Sequence, residues 1–251
     1  LMGPATVGLA ATQVNLFVNT IFASRVEGAP AWLSYAFRLM QLPIGVFGVA
    51  VATIATAGLA KRAAEKDLEG MQSTLGQGLR LVAFLTVPSM IGLLALREPI
   101  VRLLFAHGRF QPADTVATAW ATLGYAVGLY AYAGVKVVAP AFYALDRARI
   151  PLYASLTAVA ANILFNVLLF PVLSFKGLAL GTSLAAALNF GVLIFAFRRE
   201  VGLRLGATVG HLLRVLVAAF PCGLAAIAVA GAVESWLGVE LVPARILAVG
   251  L

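Results

Sequence analysis

From Ile44 to Ala60 the chain reads IGVFGVAVATIATAGLA, and from His211 to Val233 it reads HLLRVLVAAFPCGLAAIAVAGAV. Apolar runs of this length constrain the fold more than any other feature. About 20 mostly apolar residues in a helix cross the ~30 Å hydrocarbon layer of a bilayer. Lipid offers a spanning backbone no hydrogen-bond partners, so only helices and closed barrels survive there. No run alternates with the period of two that a barrel strand requires. The 251 residues are 62% hydrophobic and 11% charged, against roughly 45–50% and 25% in soluble domains. The sequence therefore predicts an all-α polytopic membrane protein.

Measured by that length, seven full spans are expected at 3–24, 33–58, 75–96, 115–145, 151–173, 177–197 and 210–233, with an eighth starting at 244. Short connections make neighbouring spans antiparallel. One set of loops carries Lys61, Arg62, Lys66, Arg147, Arg149, Arg198, Arg199 and Arg204; the other carries Arg25, Arg97, Arg102, Arg109 and Lys176. The bias places the first set in the cytoplasm. The connection REPIVRLLFAHGRFQPADT reads as a short amphipathic element on the opposite surface, and its His107 as solvated. Cys222, the single cysteine, has no partner for a disulfide or a metal and reads as a packing residue. The opening LMGPATVG has no basic region and no cleavage motif, so no signal peptide is expected. Both ends fall in apolar runs, which suggests a piece of a longer protein.

The formal net charge of +8 is scattered between apolar runs without an aromatic-interleaved patch. That distribution excludes a nucleic-acid surface and fits positive loops beside an anionic leaflet. Three cations lie inside spans, where an arginine costs about 2.5–3.5 kcal/mol on insertion scales. Arg80 sits near the end of its span and is expected to snorkel to the interface. Lys136, four residues before Pro140, has two open readings: it lines a cavity, or it caps carbonyls that the proline frees. Arg38 either snorkels or faces a polar interior.

Helical spacing bears on Arg38. Arg38, Gln41, Gly45, Gly48 and Ala52 fall on one face, and so do Gly8, Thr12, Asn15 and Asn19 in the first span. Ser155, Asn162 and Asn166 align in the fifth span, as do Thr182 and Asn189 in the sixth. Small and amide residues glue membrane helices together, and they also wall polar cavities. Four stripes, one with a guanidinium, favour a shared cavity. The seventh span has only small residues and Pro221 beyond Arg214, so it is expected at the periphery. All ten acidic residues lie in loops or at span ends, whereas proton- and sodium-coupled sites usually need a buried carboxylate. A cavity with only positive deep charges suits an anion, and a guanidinium matches phosphate oxygens bidentately.

Three segments, NLFVNTIFASRVEGAPAWLSYAFRLMQLPIGVFGVAVAT, FAHGRFQPADT and VKVVAPAFYALDRARIP, resemble the signature of the bacterial lipid II flippase family (MurJ/MviN). That family lies within the multidrug/oligosaccharidyl-lipid/polysaccharide exporter superfamily. The resemblance implies a fourteen-span protein of two six-span lobes plus two helices that form a lipid-tail groove. Residues 1–200 would be the second lobe. Residues 201–251 would be a cytoplasmic linker, one complete extra helix and one partial one. The resemblance also implies a multi-pass protein of the bacterial inner membrane that moves lipid II from inner to outer leaflet by alternating access. Its arginine in the pattern Y-A-x-R-L-x-Q-L-P, here Arg38, would be a cavity residue important for activity. Together with the stripes, this makes Arg38, Gln41, Asn15, Asn19, Lys136, Asn162 and Asn166 the expected cavity residues. Expected partners are lipid II, membrane lipids and the first lobe, with no nucleic acid, cofactor or metal.

Two other classes compete. A cation-coupled drug or polysaccharide-lipid exporter of the same superfamily would more naturally carry an intramembrane carboxylate. An enzyme acting on the same lipid would need convergent carboxylates or a metal site, and the longest outer connection offers only Glu98, His107 and Asp114.

Overall fold

The computed structural model describes Gln13, residues 15–202 and residues 205–237. The chain is helical almost throughout: α1 (15–23), α2 (Ala29–Pro43), a π-helical segment (Ile44–Gly48) and α3 (Val49–Ala64) open it. Then come α4 (Leu68–Ala95), α5 (Arg97–Phe105), α6 (Pro112–Ala126), α7 (Leu129–Ala144), α8 (Arg149–Leu173), α9 (Phe175–Glu200) and α10 (Leu205–Leu237).

Local chemistry sets the boundaries. The Asp67 carboxylate caps α4 by accepting from Gly70 N at 2.8 Å. Gln111 and Asp114 form a reciprocal capping box at the start of α6, where Pro112 supplies the first helical residue. Gly28 turns the chain between α1 and α2 at φ +80°, and a Cβ there would lie 2.6 Å from the Trp32 ring. Only glycine fits that turn.

Ala29–Ala64, Leu68–Ala95, Arg149–Leu173, Phe175–Glu200 and Gly206–Val233 are long and apolar enough to cross a membrane; α6 with α7 makes a sixth span, bent by 42°. These are the expected second to seventh spans, most of them longer than the sequence indicated. The first expected span is described only from Gln13 onward, and the eighth lies outside the described residues. The chain is thus a multi-pass membrane protein.

One expectation changes. The single span expected at 115–145 is broken at Val127–Gly128. Gly124 and Gly128 press against α9, where a Cβ would lie 2.8 Å from Ala179 Cβ and 2.6 Å from Ser183 Oγ respectively. Ser183 Oγ donates to the Gly124 and Tyr125 carbonyls, at 2.7 and 3.1 Å. The Tyr125 carbonyl also accepts from Gly128 N at 3.1 Å, and Ser183 adds a side-chain donor at the break. After residue 200, Gly202 turns at φ +88°, and α10 is described from Leu205.

Between lipid-embedded helices burial supplies little hydrophobic drive, so close packing and hydrogen bonds hold the bundle. α8 pairs with α9, α10 lies along α4, and α7 runs through the middle against α3, α4 and α9. One core, around Leu59, Met71, Leu75, Val137, Phe142 and Phe197, fills the end of the bundle that carries the Lys61–Lys66 loop. Another, around Leu33, Met40, Ile44, Leu129 and Leu178, fills the opposite end. The two ends also differ in polar contacts. At the first, Arg147 pairs with Glu200 at 3.8 Å and Gln72 Nε2 donates to Val201 O at 2.7 Å. At the second, Trp32 Nε1 donates to Asp114 Oδ1 at 2.8 Å, and its ring packs at a tilt against Phe175. The loop sets predicted from Lys and Arg therefore assemble at opposite ends, except that Arg204 lies outside the described residues. The amphipathic connection forms α5, whose Val101 is buried against Leu39 and Ala119.

Candidate functional site

Polar residues of α1, α7, α8 and α9 meet in a cavity of about 470 Å³ that opens on one face of the bundle. α1 contributes Asn15, Asn19 and Thr20; α7 contributes Tyr132 and Lys136. α8 and α9 add Ser155, Thr182 and Asn189, while α2 closes the Trp32 end with Leu33, Ser34 and Phe37. A second, more open groove of about 510 Å³ continues toward the opposite end between α3 and α7. Val49, Ala52, Thr53, Thr56 and Ala60 wall it on one side, Lys136 and Pro140 on the other.

Lys136 stands on both walls and is the one charged residue on either. Its side chain is exposed and meets no acidic partner among the described residues. Of its two sequence readings, the side-chain position fits the cavity. Pro140 still matters, because its missing N–H leaves the Lys136 carbonyl without its usual helical donor.

Arg38 and Gln41 are exposed on α2, one and two turns beyond Ser34, outside the cavity's wall. Arg38 has no ion pair or hydrogen bond among the described residues. The stripe expected to run from Arg38 to Ala52 changes phase below Gly45. Pro43 cannot donate to the Leu39 carbonyl, and the helix passes through the wider π turn of Ile44–Gly48. Gly48 consequently turns inward, where its Cβ would lie 3.2 Å from that of Ala133. The open face resumes on Val49, Ala52, Thr53 and Thr56, the wall of the second groove.

Asn15 and Asn19 line the cavity. Asn162 and Asn166, expected beside them, are fully buried instead. Asn166 Nδ2 donates to Asn19 Oδ1 and, at 3.0 Å, to Asn162 Oδ1. Asn162 Nδ2 in turn donates to Thr182 Oγ1 at 3.3 Å. These two asparagines tie α1, α8 and α9 into the rear of the cavity wall. The gluing role the sequence allowed for amide residues holds at these two positions. Arg80 is half-buried on α4, and its Nη1 reaches back over Gly76, toward the helix start. That is the direction snorkelling requires.

Sequence spacing missed Tyr132 and Tyr125, which line the cavity; the Tyr132 hydroxyl donates to Thr182 O at 3.1 Å. They lie on either side of the break between α6 and α7, where a single helical period no longer applies. No buried carboxylate and no group of metal-ligating side chains occurs among the described residues.

A bundle of spanning helices around an open cavity, with amide side chains and an unpaired lysine on its wall, is the fold of a polytopic membrane transporter. The chain belongs to the MurJ family, since that family's model, described as lipid II flippase MurJ, matches residues 1–247. Members of this family are transporters of the bacterial inner membrane, not enzymes. A probable lipid II flippase MurJ of Vibrio cholerae is 35% identical over 185 residues, covering 73% of this chain and 35% of the relative. The chain spans about a third of the length of the curated relatives it matches. Among solved structures, the fold resembles a lipid II flippase MurJ in an inward closed conformation, with a TM-score of 0.76 at 24% identity over 96% of this chain and 50% of that one. It also resembles an outward-facing multidrug-resistance MATE transporter of the MOP superfamily, with a TM-score of 0.70 at 16% identity over 98% and 60%. At those identities the two structures establish the fold alone.

Proposed function

We propose that the full-length protein carrying this chain moves lipid II from the inner to the outer leaflet of the bacterial inner membrane by alternating access, and that the cavity of this lobe receives the head group. The observation that carries the reading is the position of Lys136, unpaired on the walls of both the cavity and the groove. A cation kept within a span without a counter-ion is costly, and a lipid-linked pyrophosphate is an anion that would offset the cost. Arg38, unpaired and exposed beside the cavity mouth, offers a bidentate fork to phosphate oxygens. Gln41, Asn15 and Asn19 supply neutral donors and acceptors for sugar and amide groups, and Asn162 and Asn166 hold the wall behind them.

Residues 1–200 would then form the second lobe, whose open face a first lobe covers. α10 would form part of a groove for the lipid tail. Val209, Leu213, Val217, Phe220, Leu224 and Ile227 are all exposed along it at spacings of three and four, one apolar stripe of a helix.

The test is leaflet-resolved transport of lipid II by the full-length protein in liposomes. Losing a charge-assisted contact costs about 1.5–3 kcal/mol, so Arg38→Ala and Lys136→Ala are each expected to slow transport roughly ten- to hundredfold while membrane insertion stays normal. Wild-type rates in both variants would sink the cavity assignment. The MATE fold likeness keeps a cation-coupled drug exporter as the second reading. Transport of a hydrophobic cation without transport of lipid II would select it.

A further inference from the structure

Two cations at the Trp32 end of the bundle sit on one indole. Lys176 Nζ lies 4.5 Å and Arg97 Cζ 5.6 Å from the centre of the Trp120 ring. They come from three separate places in the chain: Arg97 from the start of α5, Trp120 from α6 and Lys176 from the first turn of α9. Both cations are half-buried, and Trp120 is 41% exposed.

Among the described residues, neither cation has a carboxylate partner. Glu98 bridges Arg102 at 2.8 Å, and Asp114 is held by Trp32 Nε1 and by Gln111 N, each at 2.8 Å. Glu27, exposed on the turn after α1, pairs with neither. Apart from the ring, the polar partner of Arg97 among the described residues is a neutral acceptor, the Leu94 carbonyl, at 2.6 Å.

Two like charges on one ring repel each other, and an indole face offsets only part of that. Tryptophan concentrates at the level of the lipid head groups, and α4 ends at Ala95 and α9 begins at Phe175, beside the two cations. The anion available at that depth is a phospholipid phosphate. We infer that Arg97, Lys176 and Trp120 form a binding site for the phosphate of an anionic phospholipid, separate from the transport cavity, with the indole orienting both donors. The cluster lines neither the cavity nor the groove, so the inference stands whether or not the cavity transports lipid II.

The test is native mass spectrometry of the full-length protein, purified in neutral detergent and offered phosphatidylglycerol or phosphatidylcholine. Wild type should retain phosphatidylglycerol preferentially. Each of Arg97→Gln and Lys176→Gln should lower that preference about fivefold, the effect of one cation near an anionic surface, and the double variant should lower it further. Melting temperatures measured in phosphatidylcholine alone should match wild type, which separates lost binding from lost folding. The inference is overturned if the double variant melts like wild type yet keeps the full preference. It is equally overturned if millimolar inorganic phosphate displaces the lipid, because the site would then recognise a free anion.

Discussion

At the scale of single residues, the same side chain type takes opposite roles according to its rotation about the helix axis. Asn19 and Asn166 share a hydrogen bond, yet one lines the cavity and the other is completely buried. Asn166 donates to two partners, so Asn166→Leu strands the buried Asn162 acceptor and unties Asn19 from the wall. A loss of about 1–2 kcal/mol is expected, measured by thermal unfolding of the detergent-solubilised full-length protein. Combining it with Asn19→Leu should cost less than the two separate losses added together, because both remove one contact. Strict additivity would show that the amides do not act as a unit. The Trp32–Asp114 hydrogen bond is a second residue-scale joint. Trp32→Phe keeps an aromatic ring against Phe175 but removes the donor, for an expected loss of about 1 kcal/mol.

At the scale of elements, the backbone deviates from regular helix in two places, and both shape the site. The π turn after Pro43 shifts the open face of α2 and α3, carrying it from Arg38 into the groove lined by Thr53 and Thr56. The break between α6 and α7 brings Tyr125 and Tyr132 to the cavity. Ser183 supports this break, since its hydroxyl donates to the Gly124 carbonyl at 2.7 Å and shares the Tyr125 carbonyl with Gly128 N. Ser183→Ala should therefore destabilise by about 1–3 kcal/mol. Gly128→Val should be worse than Ser183→Ala, because its Cβ would meet Ser183 and α9 backbone at 2.6–2.9 Å. If Gly128→Val melts like wild type, the contact between α6–α7 and α9 is looser than described.

At the scale of the whole molecule, the bundle presents two kinds of exposed surface. Leu164, Val167, Leu168 and Val172 on α8 face outward as a lipid-facing surface does. Thr53 and Thr56 are exposed as well, but within the groove. A cysteine scan separates the two environments. In a Cys222→Ser background of the full-length protein, Thr56→Cys should react with a water-soluble maleimide while Leu168→Cys stays protected in the bilayer. Reaction at both positions, or at neither, would contradict the assignment of faces.

The sequence by itself determined the class of fold, the positions of the described spans, the grouping of loops at two ends, and the cations at membrane depth. These follow from transfer free energy and length, which add up along the chain and need no knowledge of neighbours. The resemblance in three segments pointed to the family before any geometry. The sequence also marked Asn15, Asn19 and Lys136, but it could not separate them from Asn162 and Asn166, which have the same chemistry and the same spacing. That distinction depends on how each helix is rotated against partners more than a hundred residues away. Only the tertiary structure decided it, together with the π turn that moved Gly48 off the polar face and the bend that split the span at Gly128. Periodicity projects residues onto one straight helix, and it loses phase wherever a proline or a close glycine contact makes the backbone turn.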